Sequence, residues 1–184
     1  MKKANILLCI TGSISAYKTA DITHILTAKK GHNVTCVMTE AATKFITPLT
    51  LQTLSKNKVY TDMWDESDPT KVTHIDLANN ADLIVIVPAT ANTIAKLANG
   101  IADNLLTSTI LAAKNKKKIV CPAMNTMMYE NYPTHRNLTT LKCDYGYDII
   151  EPREAKLACG IVGKGALETV STIVETIDRA VKLS

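Results

Sequence analysis

The run Asp82-Leu83-Ile84-Val85-Ile86-Val87-Pro88 constrains the fold more than any other part of the chain. Every residue between its ends is apolar, so a strand built from it is apolar on both faces. Such a strand has to be covered on both sides, which is the position of a central strand in a parallel sheet. Residues 4–10 and 34–38 read as earlier strands, and residues 119–122 and 147–150 as later ones. Amphipathic stretches separate them. Residues 14–30 carry Ile14, Ala20, Ile22, Ile25 and Leu26 at helical spacing and stop at Gly31. Residues 91–98 and 103–113 read as helices. Residues 168–182 read as a closing helix with Val170, Ile173, Val174, Ile177 and Val181 on one side. Alternation of this kind predicts an α/β protein, a three-layer α/β/α Rossmann-like (flavodoxin-like) domain with a parallel sheet. A chain of 184 residues is expected to form one domain, residues 1–184. At that size about 70% of the unfolded surface is buried, and the core needs no staples.

Composition narrows the function classes. The net charge is only +4. The densest basic run, residues 114–118, reads as a solvated helix end rather than a nucleic-acid patch. No apolar stretch approaches about 20 residues. Only seven residues lie between Met1-Lys2-Lys3 and the turn at Thr11-Gly12, and they read as a strand. A signal peptide is therefore not expected, and the chain is expected in the cytoplasm. Of five cysteines, Cys9, Cys36 and Cys121 fall inside apolar runs and read as buried small hydrophobes. There is no CxxC spacing, and His24, His32, His74 and His135 are scattered, so no metal site is expected.

The turns after the strands carry the polar chemistry. Open α/β sheets place ligands outside the carboxyl ends of their strands. Thr11-Gly12-Ser13-Ile14-Ser15 follows the first strand and opens a helix. Its N–H groups and hydroxyls suit an anion, although an ordinary cap by Ser13 explains it equally well. It is neither GxGxxG nor a Walker A loop. Pro88-Ala89-Thr90-Ala91-Asn92-Thr93 offers a second cluster at the same edge, and Pro122-Ala123-Met124-Asn125-Thr126-Met127-Met128 a third. Three such turns suit a phosphate and a flat ring system, as in a mononucleotide. His74 follows Thr73, a plausible helix cap, and is either a structural histidine or a general base. Residues 65–70 and 152–165 read as mobile loops; the second is long for a compact domain, which favours a functional role. Within it Cys159 lies near Lys156 and Lys164 in sequence, and cations lower a thiol pKa.

Taken as a set, Gly12-Ser13-Ile14-Ser15-Ala16-Tyr17-Lys18, His74, residues 88–96, Gly100-Ile101-Ala102-Asp103-Asn104-Leu105-Leu106, residues 122–128 and Ala158-Cys159-Gly160 resemble the homo-oligomeric flavin-containing cysteine decarboxylases. The resemblance spans nearly the whole chain. It points to the branch that decarboxylates 4′-phosphopantothenoylcysteine to 4′-phosphopantetheine in coenzyme A biosynthesis. It implies FMN held by Gly12, Ser13, Ile14, Thr39, Thr90, Ala91, Asn92, Thr93 and Ala123. It implies catalytic roles for His74 as base at the substrate thiol, for Asn125 on the carboxylate and for Cys159 as proton donor. Asn125, Met128, Ala158 and Cys159 would contact substrate, the last two on a flap. The implied route oxidises the CH2–SH group to a thioaldehyde at FMN, loses CO2 to give an enethiolate, and re-reduces it. The resemblance also implies a homotrimer, with a dodecamer as the larger alternative, and a site at each subunit boundary. The chain ends at Ser184, so a separate phosphopantothenate-cysteine ligase is expected to supply the substrate.

Two positions depart from the family pattern. Tyr129 stands where Trp is usual, and Ile161 where many members have Asp. Relatives of the same fold leave other readings open: a peptidyl-cysteine decarboxylase, which lacks the flap cysteine, a flavin prenyltransferase, and a non-catalytic phosphatase-regulatory flavoprotein, which usually carries long acidic extensions. An NAD-binding module would need the absent glycine fingerprint.

Overall fold

The computed structural model describes residues 3–65, 70–156, 160 and 162–183. Six parallel strands form the main sheet: β1 (Asn5–Ile10), β2 (Asn33–Met38), β3 (Val59–Tyr60), β4 (Leu83–Ala89), β5 (Lys117–Pro122) and β6 (Asp148–Ile149). Their order is β3-β2-β1-β4-β5-β6. The chain reverses direction across the sheet between β1 and β4, and such a switch point opens a crevice at the carboxyl ends. As the apolar run requires, all seven residues of β4 are buried.

The alternation along β1 builds two cores. Ile6, Leu8 and Ile10 point to one face, with Val85, Val87 and Ile119. Leu7 and Cys9 point to the other, with Ile84, Ile86 and Val120. Helix α9 (Val170–Leu183) covers the first face through Ile173, Val174, Ile177 and Val181. Helices α5 (Ala91–Ala98) and α6 (Leu105–Ala112) cover the second through Ile94, Leu97, Leu105 and Ile110. Each such side chain contributes about 1.5–3 kcal/mol when fully buried.

Several elements differ from the sequence expectation. Residues 14–30 are not one uniform helix. They form a 3₁₀ turn (Ile14–Lys18), α1 (Thr19–His24) and a π-helical turn (Ile25–Lys29). The stretch between β2 and β4 holds two helices that were not expected, α2 (Glu40–Thr43) and α3 (Pro48–Ser55), and one that the cap reading at Thr73 anticipated, α4 (Thr73–Asn80). Beyond β5 lie α7 (Thr126–Glu130), α8 (Tyr132–Thr139) and a second π-helical turn (Thr140–Asp144). The basic run is not a solvated helix end. Lys117 and Lys118 begin β5, and Lys118 is buried. Its ammonium donates to the carbonyls of Ala113 at 2.6 Å and Lys116 at 3.1 Å, and lies 5.2 Å from the Tyr147 ring centroid. Burial lowers its pKa.

Residues 152–165 do not form one long loop either. β7 (Arg153–Lys156) and β8 (Val162–Ala166) pair as an antiparallel ribbon, with Arg153 opposite Ala166. Met124 donates its N–H to the Gly165 carbonyl at 3.0 Å, so the ribbon docks on the loop after β5. A side chain at Gly165 would overlap the Met124 carbonyl, which explains the glycine. Cys9, Cys36 and Cys121 are buried free thiols, as expected. Burial pushes all three up, Cys36 to about 12, so none is a thiolate at neutral pH.

Candidate active site

One cavity of about 1010 Å³ opens at the carboxyl edge of the sheet. That is the upper end of the usual range for small-molecule sites, about 300–1,000 Å³, and leaves room for a cofactor and a substrate side by side. Four strand ends build it. After β1, Thr11 is buried, and its hydroxyl donates to the Pro88 carbonyl at 2.6 Å. The same oxygen accepts the Thr90 N–H at 3.0 Å, which ties the first turn to the turn after β4. Ser13 caps the 3₁₀ turn by accepting from Ser15 N–H at 3.3 Å. Gly12 lies against α2: a Cβ there would come within 2.5 Å of the Ala41 Cβ.

After β2, Thr39 caps α2 by accepting from Ala42 N–H at 3.2 Å. Following β4, Thr90 caps α5 by accepting from Thr93 N–H at 3.3 Å. After β5, Ala123 N–H bonds the Ala89 carbonyl at 3.0 Å, and Asn125 caps α7 by accepting from Met127 N–H at 2.8 Å. Gly12, Ser13, Ile14, Thr39, Thr90, Ala91, Asn92, Thr93, Ala123, Asn125 and Met128 all line this one cavity. The wall combines hydroxyls, amides and helix-start N–H groups with the apolar surfaces of Ile14, Met38, Leu105 and Ala123. A phosphate needs the first and a flat heterocycle the second, so the residues present fit FMN.

His74 is not part of that wall. It lies in the first turn of α4, half-buried, with a buried Nδ1 that makes no hydrogen bond among the described residues. The helix cap is Val72 rather than Thr73, and it caps without a side-chain bond. Val72 and Ile75 beside it are exposed apolar residues. Ala158, Cys159 and Ile161 lie outside the described residues.

The cavity wall also holds Lys96, Asp103, Asn104 and Trp64, for which the sequence pattern suggested no role. Lys96 donates to Asp103 at 2.6 Å, and this hydrogen bond holds the Asp103 carboxyl below its usual range. Asn104 forms a capping box with Thr107. Trp64, the single tryptophan, lines the rim and is 82% exposed. A lone tryptophan in a polar loop was the available signal. Tyr129 is mostly buried, and its hydroxyl donates to Glu151, which also takes Lys164 at 3.0 Å. Burial pushes Glu151 up, but the hydrogen bonds from Tyr129 and Lys164 outweigh it and leave the carboxyl below its usual value. The hydroxyl that distinguishes Tyr from Trp thus ties α7 to the segment entering β7.

Comparison with known proteins adds the following. Residues 1–182 match the family model described as Flavoprotein. A "Probable phosphopantothenoylcysteine decarboxylase" of Streptococcus mutans serotype c is 52% identical over 174 residues, covering 94% of this chain and 96% of that protein. A "Coenzyme A biosynthesis bifunctional protein CoaBC" of Bacillus subtilis is 48% identical over 179 residues, covering 97% of this chain but only 43% of its own length. Among solved structures, a Cys-to-Ser variant of a PPC decarboxylase complexed with pantothenoylaminoethenethiol superposes with a TM-score of 0.89 at 36% identity, covering 97% of this chain and 98% of that one.

Proposed function

The chain belongs to the flavoprotein family, and from that membership we propose that it is an FMN-dependent carboxy-lyase converting 4′-phosphopantothenoylcysteine to 4′-phosphopantetheine. The observation that carries this reading is the single cavity that gathers the turns after β1, β2, β4 and β5.

Losing CO2 from a cysteine-derived carboxylate leaves a carbanion with no electron sink. Bound FMN supplies a reversible two-electron oxidation at the carbon bearing the thiol. Gly12, Ser13, Ile14, Thr39, Thr90, Ala91, Asn92, Thr93 and Ala123 would hold it. Asn125 stands at the mouth of the loop on which the β7–β8 ribbon docks, and there it orients the substrate carboxylate. Met128 packs against the substrate chain. His74 takes the thiol proton. Cys159 returns a proton to the enethiolate, with Ala158 beside it. The last two assignments rest on the family pattern.

The reading includes a homotrimer, with a dodecamer as the larger alternative. Two features support it. The proposed base is off the wall of its own cavity, with a buried Nδ1 that has no partner among the described residues, and exposed Val72 and Ile75 flank it. A second copy that covers this surface brings His74 to a neighbour's cavity. The compartment in this reading is the cytoplasm; no helix among the described residues is long and apolar enough to cross a membrane. A separate phosphopantothenate-cysteine ligase would supply the substrate.

The test is a comparison of two substrates. The FMN-loaded protein is given 4′-phosphopantothenoylcysteine and, separately, a peptide ending in cysteine, and products are read by mass. Decarboxylation of the first supports the reading. Decarboxylation of the peptide alone replaces it with the peptidyl-cysteine reaction.

A further inference from the structure

Among the described residues, three cations line the cavity: Lys18, Lys96 and Arg153. Lys96 is engaged by Asp103 at 2.6 Å. The other two form no ion pair among the described residues. Lys18 closes the 3₁₀ turn that starts at the Ser13 cap. Arg153 opens β7, opposite Ala166. Its Nε donates to the Leu167 carbonyl at 3.3 Å. That bond fixes the plane of the guanidinium and leaves its two terminal nitrogens for a ligand.

The two charges feel each other. Burial lowers the Lys18 pKa, repulsion from Arg153 lowers it further, and Glu168 opposes both. Two like charges held on one cavity wall are a cost unless an anion lies between them. A planar guanidinium and an ammonium together suit a phosphoryl group, the first by a two-pronged contact and the second as a point charge. Ser15 adds a hydroxyl on the same turn.

We infer that Lys18 and Arg153 form a phosphoryl subsite for the 4′-phosphate of the substrate. This rests on the function proposed above. The substrate's phosphate is favoured over the cofactor's because Arg153 sits on the ribbon docked against the Asn125 loop. The cofactor's phosphate has the capped turns at Thr39 and Thr90 available. The subsite makes the enzyme select phosphorylated over dephosphorylated pantothenoylcysteine.

The experiment compares kcat/KM for 4′-phosphopantothenoylcysteine and pantothenoylcysteine in wild type, Lys18→Gln and Arg153→Gln. FMN and riboflavin binding are measured on the same preparations. Charge-assisted hydrogen bonds of this kind predict that each substitution lowers the phosphorylated-to-dephosphorylated preference about 10- to 100-fold, through KM. FMN and riboflavin should bind each variant in the wild-type ratio. An equal loss with both substrates overturns the inference and assigns the cations to the carboxylate or to the fold. Loss of FMN binding with riboflavin binding retained overturns it in favour of the cofactor's phosphate. An unaltered preference also overturns it. A wild type that turns over neither compound overturns the function proposed above, and the subsite with it.

Discussion

Thr11 and Pro88 are joined by a buried hydrogen bond of 2.6 Å from the Thr11 hydroxyl to the Pro88 carbonyl. The bond crosses between the ends of β1 and β4, the two strands that flank the switch point. The same oxygen receives the Thr90 N–H, so one hydroxyl sets the spacing of two turns that line the cavity.

Thr11→Val keeps the shape and removes both bonds. It leaves a buried carbonyl and N–H without their partner, which costs about 1–3 kcal/mol. Equilibrium unfolding should show that loss, and FMN titration should show weaker binding. Unaltered stability and affinity would mean that the turns are held by the rest of the sheet.

His74→Asn should fold and retain FMN while losing turnover by about 10²- to 10⁴-fold, the usual contribution of a general base. Turnover within a few-fold of wild type would make His74 structural. Co-expression with Asn125→Ala subunits tests the oligomer: mixed assemblies should regain activity if His74 serves a neighbouring cavity, and should stay inactive if it serves its own.

A second prediction on protons concerns the far edge of the sheet. His32 accepts the Ala4 N–H on Nδ1 at 3.3 Å, so its Nε2 carries the proton donated to Asp178 at 3.0 Å. Lys30 also pairs with Asp178, and together these bonds clamp α9 to the sheet. Burial pushes the Asp178 carboxyl up, but the hydrogen bonds from Lys30 and His32 and the charge of Lys30 leave it below its ordinary value. A depressed carboxyl stabilises the fold above its unfolded pKa, about 3.9, and that stability fades as pH falls through the lower folded value. Asp178→Asn should therefore lower Tm by about 2–4 °C at pH 7, with the gap to wild type closing below about pH 4. A gap that widens in acid contradicts the assignment. Melting curves of both proteins from pH 3 to 7 decide it.

Cys159→Ser should separate the two halves of the reaction. Oxidation and CO2 loss need FMN, His74 and Asn125, and they should survive. Protonation of the enethiolate needs an acid, and a serine hydroxyl is far weaker than a thiol of pKa about 8.5. The variant should release CO2 and accumulate the unsaturated enethiol, seen by mass. Saturated product at a near wild-type rate would remove Cys159 from that role.

The central sheet was legible because parallel strands buried on both faces leave unbroken apolar runs, as at Leu83–Ala89. The turns at Ser13, Thr90 and Asn125 were legible as polar clusters at strand ends, whereas Thr39, which caps α2, came only with the family resemblance. The ribbon was not: β7 and β8 contain Arg153, Glu154, Lys156, Gly163, Lys164 and Gly165, and an exposed two-stranded ribbon needs no apolar face. Helix α8 has a weak apolar stripe, Tyr132-Pro133-Thr134-His135-Arg136-Asn137-Leu138, and read as no element. Nor could linear spacing tell that His74 stands off the cavity wall while Arg153, far along the chain, lies on it. Those are relations between elements, set by packing.

The most direct test of the whole account is an anaerobic reaction of the FMN-loaded protein with 4′-phosphopantothenoylcysteine, followed by product mass and flavin absorbance together. A reaction that oxidises and then re-reduces its substrate has no net redox change. The account predicts one CO2 per substrate, saturated 4′-phosphopantetheine, and a flavin oxidised at the end as at the start. Unsaturated enethiol with an equivalent of reduced flavin, or substrate recovered intact, would contradict it.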